Sequence, residues 1–74
     1  MRYQVQIIDF IPSATRHAVR RRLTLTQAWG IARRQARRGL KLYGGSIAYG
    51  NSGAGGGVFP GRYRSVVITL DAFP

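Results

Sequence analysis

Arg33, Arg34, Arg37 and Arg38 recur at spacings i, i+1, i+4 and i+5, which projects all four from one side of a helix. A guanidinium is a planar fork of donors that grips phosphate or carboxylate in pairs of hydrogen bonds. No glutamate lies among these arginines to relieve their mutual repulsion, so the face favours an arriving anion. Lys41 extends the row, Arg20, Arg21 and Arg22 form a second basic block, and Arg62 and Arg64 a third. Together they predict a polyanion-binding surface, with nucleic acid as the leading ligand, held through phosphate contacts and counterion release. Tyr49, Phe59 and Tyr63 flank a glycine-rich stretch and are candidates to stack on bases. No aromatic RNP pattern, GXXG clamp of the KH kind or zinc finger occurs, so little sequence specificity is expected.

The glycine-rich stretch itself invites a phosphate cradle, since Gly53, Gly55 and Gly56 carry no side chain to block approach to backbone N–H groups. Neither a P-loop nor a complete GxGxxG is present. Residues 50–61 are expected to form a flexible loop that orders on a ligand or partner. A nucleotide sponge using this loop is a third functional reading, behind nucleic acid and an acidic protein partner.

Catalysis lacks parts. Asp9, Asp71 and His17 are the only side chains suited to general acid–base work near neutral pH, and a Ser13, His17, Asp9 constellation has no strained elbow or oxyanion donors beside it. Asp71 is expected to pair with an arginine on the sheet. With no cysteine and one histidine, no structural zinc site can be assembled, and no cofactor is expected. The reading is non-enzymatic.

These residues need elements to hold them. Tyr3, Val5 and Ile7 alternate with Gln4 and Gln6, predicting a strand from Tyr3 to Ile11. Ile11-Pro12-Ser13-Ala14-Thr15 carries turn chemistry, and His17 to Leu23 alternates as a second, basic-faced strand. Thr24-Leu25-Thr26-Gln27 matches a capping box, so a helix starts at Leu25. Leu25, Ala28, Trp29, Ala32, Ala36 and Leu40 share one arc of it. The helix either closes at Gly39 or runs to Tyr43 with Gly44 as cap, and the continuing apolar face favours the longer form. Ser46 to Tyr49 reads as a short strand, and Arg62 to Phe73 as a long, central one. The sum is ββαββ, or βαββ if the His17 segment is a loop: a small α+β domain with an antiparallel or mixed sheet and one amphipathic helix packed on it through Trp29.

The chain has 74 residues, 12 Lys+Arg against 2 Asp+Glu, and a formal charge of +10. Eleven of the twelve cations are arginine. That length predicts one domain spanning residues 1–74, whose stability rests on packing, completed by self-association. No apolar run is long enough to span a bilayer and no signal core opens the sequence, which predicts a soluble, cytoplasmic protein with no membrane role.

Ile11-Pro12-Ser13-Ala14-Thr15-Arg16, with Arg21 or Arg22 and Leu23 after it and Gly44-Gly45-Ser46-Ile47 beyond the helix, resembles the small basic linker proteins of phycobilisomes. Ser46 stands where that family carries lysine, and the strand from Arg62 is unmatched. No functional residue is carried over. The resemblance implies that a basic sheet-and-helix module can serve an acidic protein as partner. The alternative to nucleic acid is therefore a protein–protein module, an assembly linker or a small virus-type inhibitor or accessory protein, docking its basic face on an acidic surface.

Overall fold

The computed structural model describes residues 1–58 and 61–71. Six elements follow in order: β1 (Tyr3–Ile11), β2 (Ala14–Leu23), α1 (Leu25–Tyr43), β3 (Ser46–Gly50), β4 (Gly53–Val58) and β5 (Arg62–Leu70). The strands form one five-stranded sheet in the order β2-β1-β5-β4-β3, with every neighbouring pair antiparallel. This is an α+β fold, and β5 lies at its centre as its apolar alternation predicts. Ala72 and Phe73, expected at the end of that strand, and Phe59 lie outside the described residues.

Pro12 and Ser13 turn β1 into β2, with Ile11 opposite Ala14. The second strand runs regularly from Ala14 to Arg20, then slips by one residue between Arg20 and Leu23. Arg22 sits in this bulge with φ 58°, and its N–H donates to Asp71 Oδ2 at 2.9 Å, which compensates a left-handed conformation that side chains resist.

The helix begins as its capping box requires: the Gln27 N–H donates to Thr24 Oγ1 (3.2 Å) and the Thr24 N–H to Gln27 Oε1 (3.0 Å). It continues through Gly39 to Tyr43 and closes at Gly44, whose φ is 73° and whose N–H donates to Leu40 O at 2.8 Å. Gly39 does not stop the helix because it serves another purpose. A Cβ there would lie 2.9 Å from Arg64 Cβ, so glycine lets the helix settle onto that side chain.

The helix packs chiefly over β4 and β5, touching β2 little. Ala28, Ala32 and Ala36 are fully buried and, with Val5, Ile7, Val66 and Ile68, form the core. Trp29, expected to carry this packing, is only half-buried at the core's margin. Small residues take that role instead, because alanine allows close approach of helix to sheet without large interlocking side chains.

The glycine-rich stretch differs most from expectation. Residues 53–58 are a strand, not a loop, paired with β3 on one side and β5 on the other around an Asn51-Ser52 turn. The neighbours of Gly53, Gly56 and Gly57 come too near for side chains: a Cβ on Gly53 would lie 2.0 Å from Val66 O. Glycine here permits close strand approach at a cost in backbone entropy.

A candidate polyanion interface

The sheet register assigns each strand residue a face. On β1, Val5, Ile7 and Asp9 point to the helix side; on β5, Arg64, Val66 and Ile68 do the same. Asp9 and Arg64 are direct register partners, both buried, at 7% and 8% exposure. Arg64 Nε donates to Asp9 Oδ1 (2.5 Å), Nη2 to Oδ2 (2.8 Å), and Nη1 to the Gln35 side-chain oxygen (3.0 Å). The Arg64 hydrogen bonds hold the Asp9 carboxyl below the ordinary carboxylate range despite burial. The same bonds raise the Arg64 pKa further. Burial, and then the neighbouring Asp9 carboxylate, pushes the Tyr43 phenol up.

Arg64 therefore leaves the polyanion set in which sequence placed it. It shares the apolar phase of β5 and is committed to an internal ion pair. Asp71, as expected, meets an arginine: Arg21 Nη1 lies 3.7 Å from its Oδ1, and its carboxylate also holds the Arg22 N–H. Both acids of the chain thus serve the fold, and ten of the twelve cations remain without an ion pair among the described residues.

Where those ten lie decides what they can do. Arg33, Arg34, Arg37, Arg38 and Lys41 are exposed on the side of α1 opposite its buried stripe of Ala28, Ala32, Ala36 and Gly39. They form two columns with four-residue spacing, Arg33-Arg37-Lys41 and Arg34-Arg38, about 6 Å apart along each column. Arg33 also rests over the Trp29 ring, 5.8 Å from its centroid. Because the helix sits towards β4, the helix-facing side of β2 is left uncovered. Arg20, opposite Val5 on that side, lines a cleft with Arg34, floored by Leu23, Gln27, Gly30 and Ile31.

Arg16 continues this row. It pairs with Asp9 in register, four residues from Arg20 on the same face, and lines a second cleft with Arg62, Pro12 and Tyr43. Sequence reasoning missed Arg16 by starting the second strand at His17, although Arg16, Ala18 and Arg20 share one phase of the strand. Arg21 and Arg22 stand apart at the bulge beside Asp71.

The aromatic candidates do not gather around these cations. Tyr63 lies on the opposite, open face of the sheet, stacked on Phe10 with ring centroids 5.8 Å apart. Tyr49 pairs with buried Ala54 and faces the helix side. Phe59 is outside the described residues. Gly53 and Gly55 face the open side and Gly56 the helix side, all within a strand paired on both edges, so they do not form a phosphate nest. His17 pairs with Ile8 on the open face while Asp9 points to the other, which separates the Ser13, His17, Asp9 constellation.

Among the described residues, no group of three or more His, Cys, Asp or Glu could hold a metal, and no helix is long and apolar enough to cross a membrane. No protein-family model, curated protein or solved structure matches the chain.

Proposed function

We propose that this is a non-enzymatic, cytoplasmic binding protein that holds nucleic acid, with little sequence specificity, along the outer face of α1 and the uncovered side of β2. The observation that carries it is the shared cleft of Arg20 and Arg34, extended by Arg16, Arg38 and the Arg33-Arg37-Lys41 column, in a chain whose two acids are engaged elsewhere. Arg33 to Lys41 present this charge along about 12 Å of the helix, beside the Arg16 and Arg20 row of β2, which suits a polymer of regularly spaced phosphates better than a single small anion. Affinity then comes from phosphate contacts that release counterions, without base readout.

An acidic protein as partner is the second reading, and Leu23 and Ile31 in the cleft floor favour it as apolar contacts beneath the charges. Anisotropy titrations of labelled single-stranded and duplex oligonucleotides at two salt concentrations, with heparin as competitor, separate the two. Binding that exceeds the heparin level, grows with strand length and weakens with salt is expected. Binding to oligonucleotides no stronger than to heparin would overturn the nucleic-acid reading.

A further inference from the structure

The open face of the sheet is built unlike the rest of the surface. In a chain of formal charge +10, its charges are confined to the end of the sheet that carries Arg2, Arg21, Arg22 and Asp71. Across the remainder, the described strand positions hold apolar, hydroxyl, amide, histidine or glycine residues. No described element covers this face. Phe10 and Val19 are 43% and 36% exposed on it, beside Ile8, Tyr63 and Val67.

The face has two unlike halves. Over β2, β1 and β5 it rises in side chains, with the stacked Phe10–Tyr63 pair as its crest. Over β4 and β3 it falls to a shelf where Gly53, Gly55 and Gly57 alternate along one strand, opposite Gly50, Ala48 and Ser46. The central strand β5 divides ridge from shelf. A two-fold axis parallel to β5 sets the ridge of one copy on the shelf of another, which is the self-complementarity an isologous interface requires.

We propose that the occupant of this face is a second copy of the chain, packed sheet to sheet in a four-layer dimer with the helices outside. Charge distribution selects this occupant. A nucleic acid finds no partner for its phosphates on an uncharged face, whereas two copies meeting here place their basic helices on opposite outer surfaces. Packed sheets lie about 10 Å apart, so the helix layers beyond them are separated by more than the Debye length of about 8 Å. The molecule measures 36 by 21 Å across its two longer axes, on the order of the roughly 800 Å² that each partner contributes to a stable interface. Within one copy, Val5 and Val66 are the only large side chains buried beyond reach of solvent among the described residues, so a second layer adds the core that this small domain lacks.

The test uses the whole chain without nucleic acid, so it is read separately from the polyanion site. Sedimentation equilibrium at about 100 μM, well above the Kd range of a standard interface, is expected to give twice the 8.2 kDa chain mass. Ser65→Arg, which sets a charge at the middle of β5 on this face, is expected to return the mass to that of one chain with its circular dichroism retained. Because the chain has no cysteine, Ser65→Cys supplies a unique and nearly isosteric thiol. A thiol crosslinker spanning about 10 Å is expected to join Ser65→Cys chains and not Arg37→Cys chains, whose thiols lie on opposite outer faces. A monomer at that concentration overturns the proposal. So does a dimer whose Arg37→Cys chains crosslink while its Ser65→Cys chains do not, which would place the contact at the helix.

Discussion

Asp9 on β1 and Arg64 on β5 stand directly opposite each other on the helix side of the sheet, joined by two hydrogen bonds of 2.5 and 2.8 Å and roofed by Gln35 and Gly39 of the helix. An anion and a cation thus occupy core-phase positions on neighbouring strands. Removing one partner leaves the other charged, buried and unpaired. Asp9→Leu is expected to cost about 3 kcal/mol or more, a large share of the stability of so small a domain, as read from urea midpoints. Asp9→Leu with Arg64→Met should recover much of that loss, since the double variant strands no charge.

The same pair sets an acid limit. The Asp9 pKa is lower folded than unfolded, so its contribution is fully present above the unfolded value of about 3.9 and is lost as pH falls through the lower folded value. Urea midpoints should hold between about pH 7 and about pH 5 and then drop below about pH 4. Asp9→Asn should show a lower midpoint at neutral pH and a shallower acid drop. An unchanged acid limb in that variant would contradict the assignment to Asp9.

Two glycines of one helix should respond oppositely to the same substitution. Gly30 is exposed, and a methyl added there would meet nothing within 4 Å, so Gly30→Ala should stabilise by about 0.5–1 kcal/mol through helix propensity. Gly39→Ala gains the same propensity but drives its methyl to 2.9 Å from Arg64 Cβ, whose side chain is clamped by Asp9. A net loss of about 1 kcal/mol is expected, because overpacking costs about 1–3 kcal/mol. Paired thermal melts of the two variants check the difference in sign.

Much of this architecture is legible in the residues. Thr24 and Gln27 announce the helix start, and the period-two patterns of Tyr3–Ile11 and the run after Arg62 announce β1 and β5. Strand β4 is not legible, because glycine has no side chain with which to alternate; its pairing rests on how closely two backbones approach. The basic site is partly legible. Charge counting finds the helix arginines, whose spacing fixes their face. It cannot by itself tell Arg64 from Arg62, although Arg64 shares its phase with Val66 and Ile68 as Asp9 does with Val5 and Ile7. The meeting of Arg20 with Arg34 depends on the helix being off-centre over the sheet, a packing outcome that no local pattern carries.

Trp29 offers an internal reporter, since it is the only tryptophan and Arg33 lies over its ring. Drawing Arg33 towards a phosphate should change Trp29 emission in step with oligonucleotide binding. In Arg33→Gln the emission change should shrink while binding is only weakened.

The most direct test of the basic face is the salt dependence of oligonucleotide affinity in the wild-type protein and in the variant carrying Arg33→Gln, Arg34→Gln, Arg37→Gln and Arg38→Gln. Each lost phosphate contact removes about 0.7–0.9 from the slope of log K against log salt, so the variant's slope should be shallower by about 3, with its circular dichroism unchanged. Equal slopes and equal affinities in the two proteins would contradict the account, because the helix arginines would then take no part in holding the polyanion.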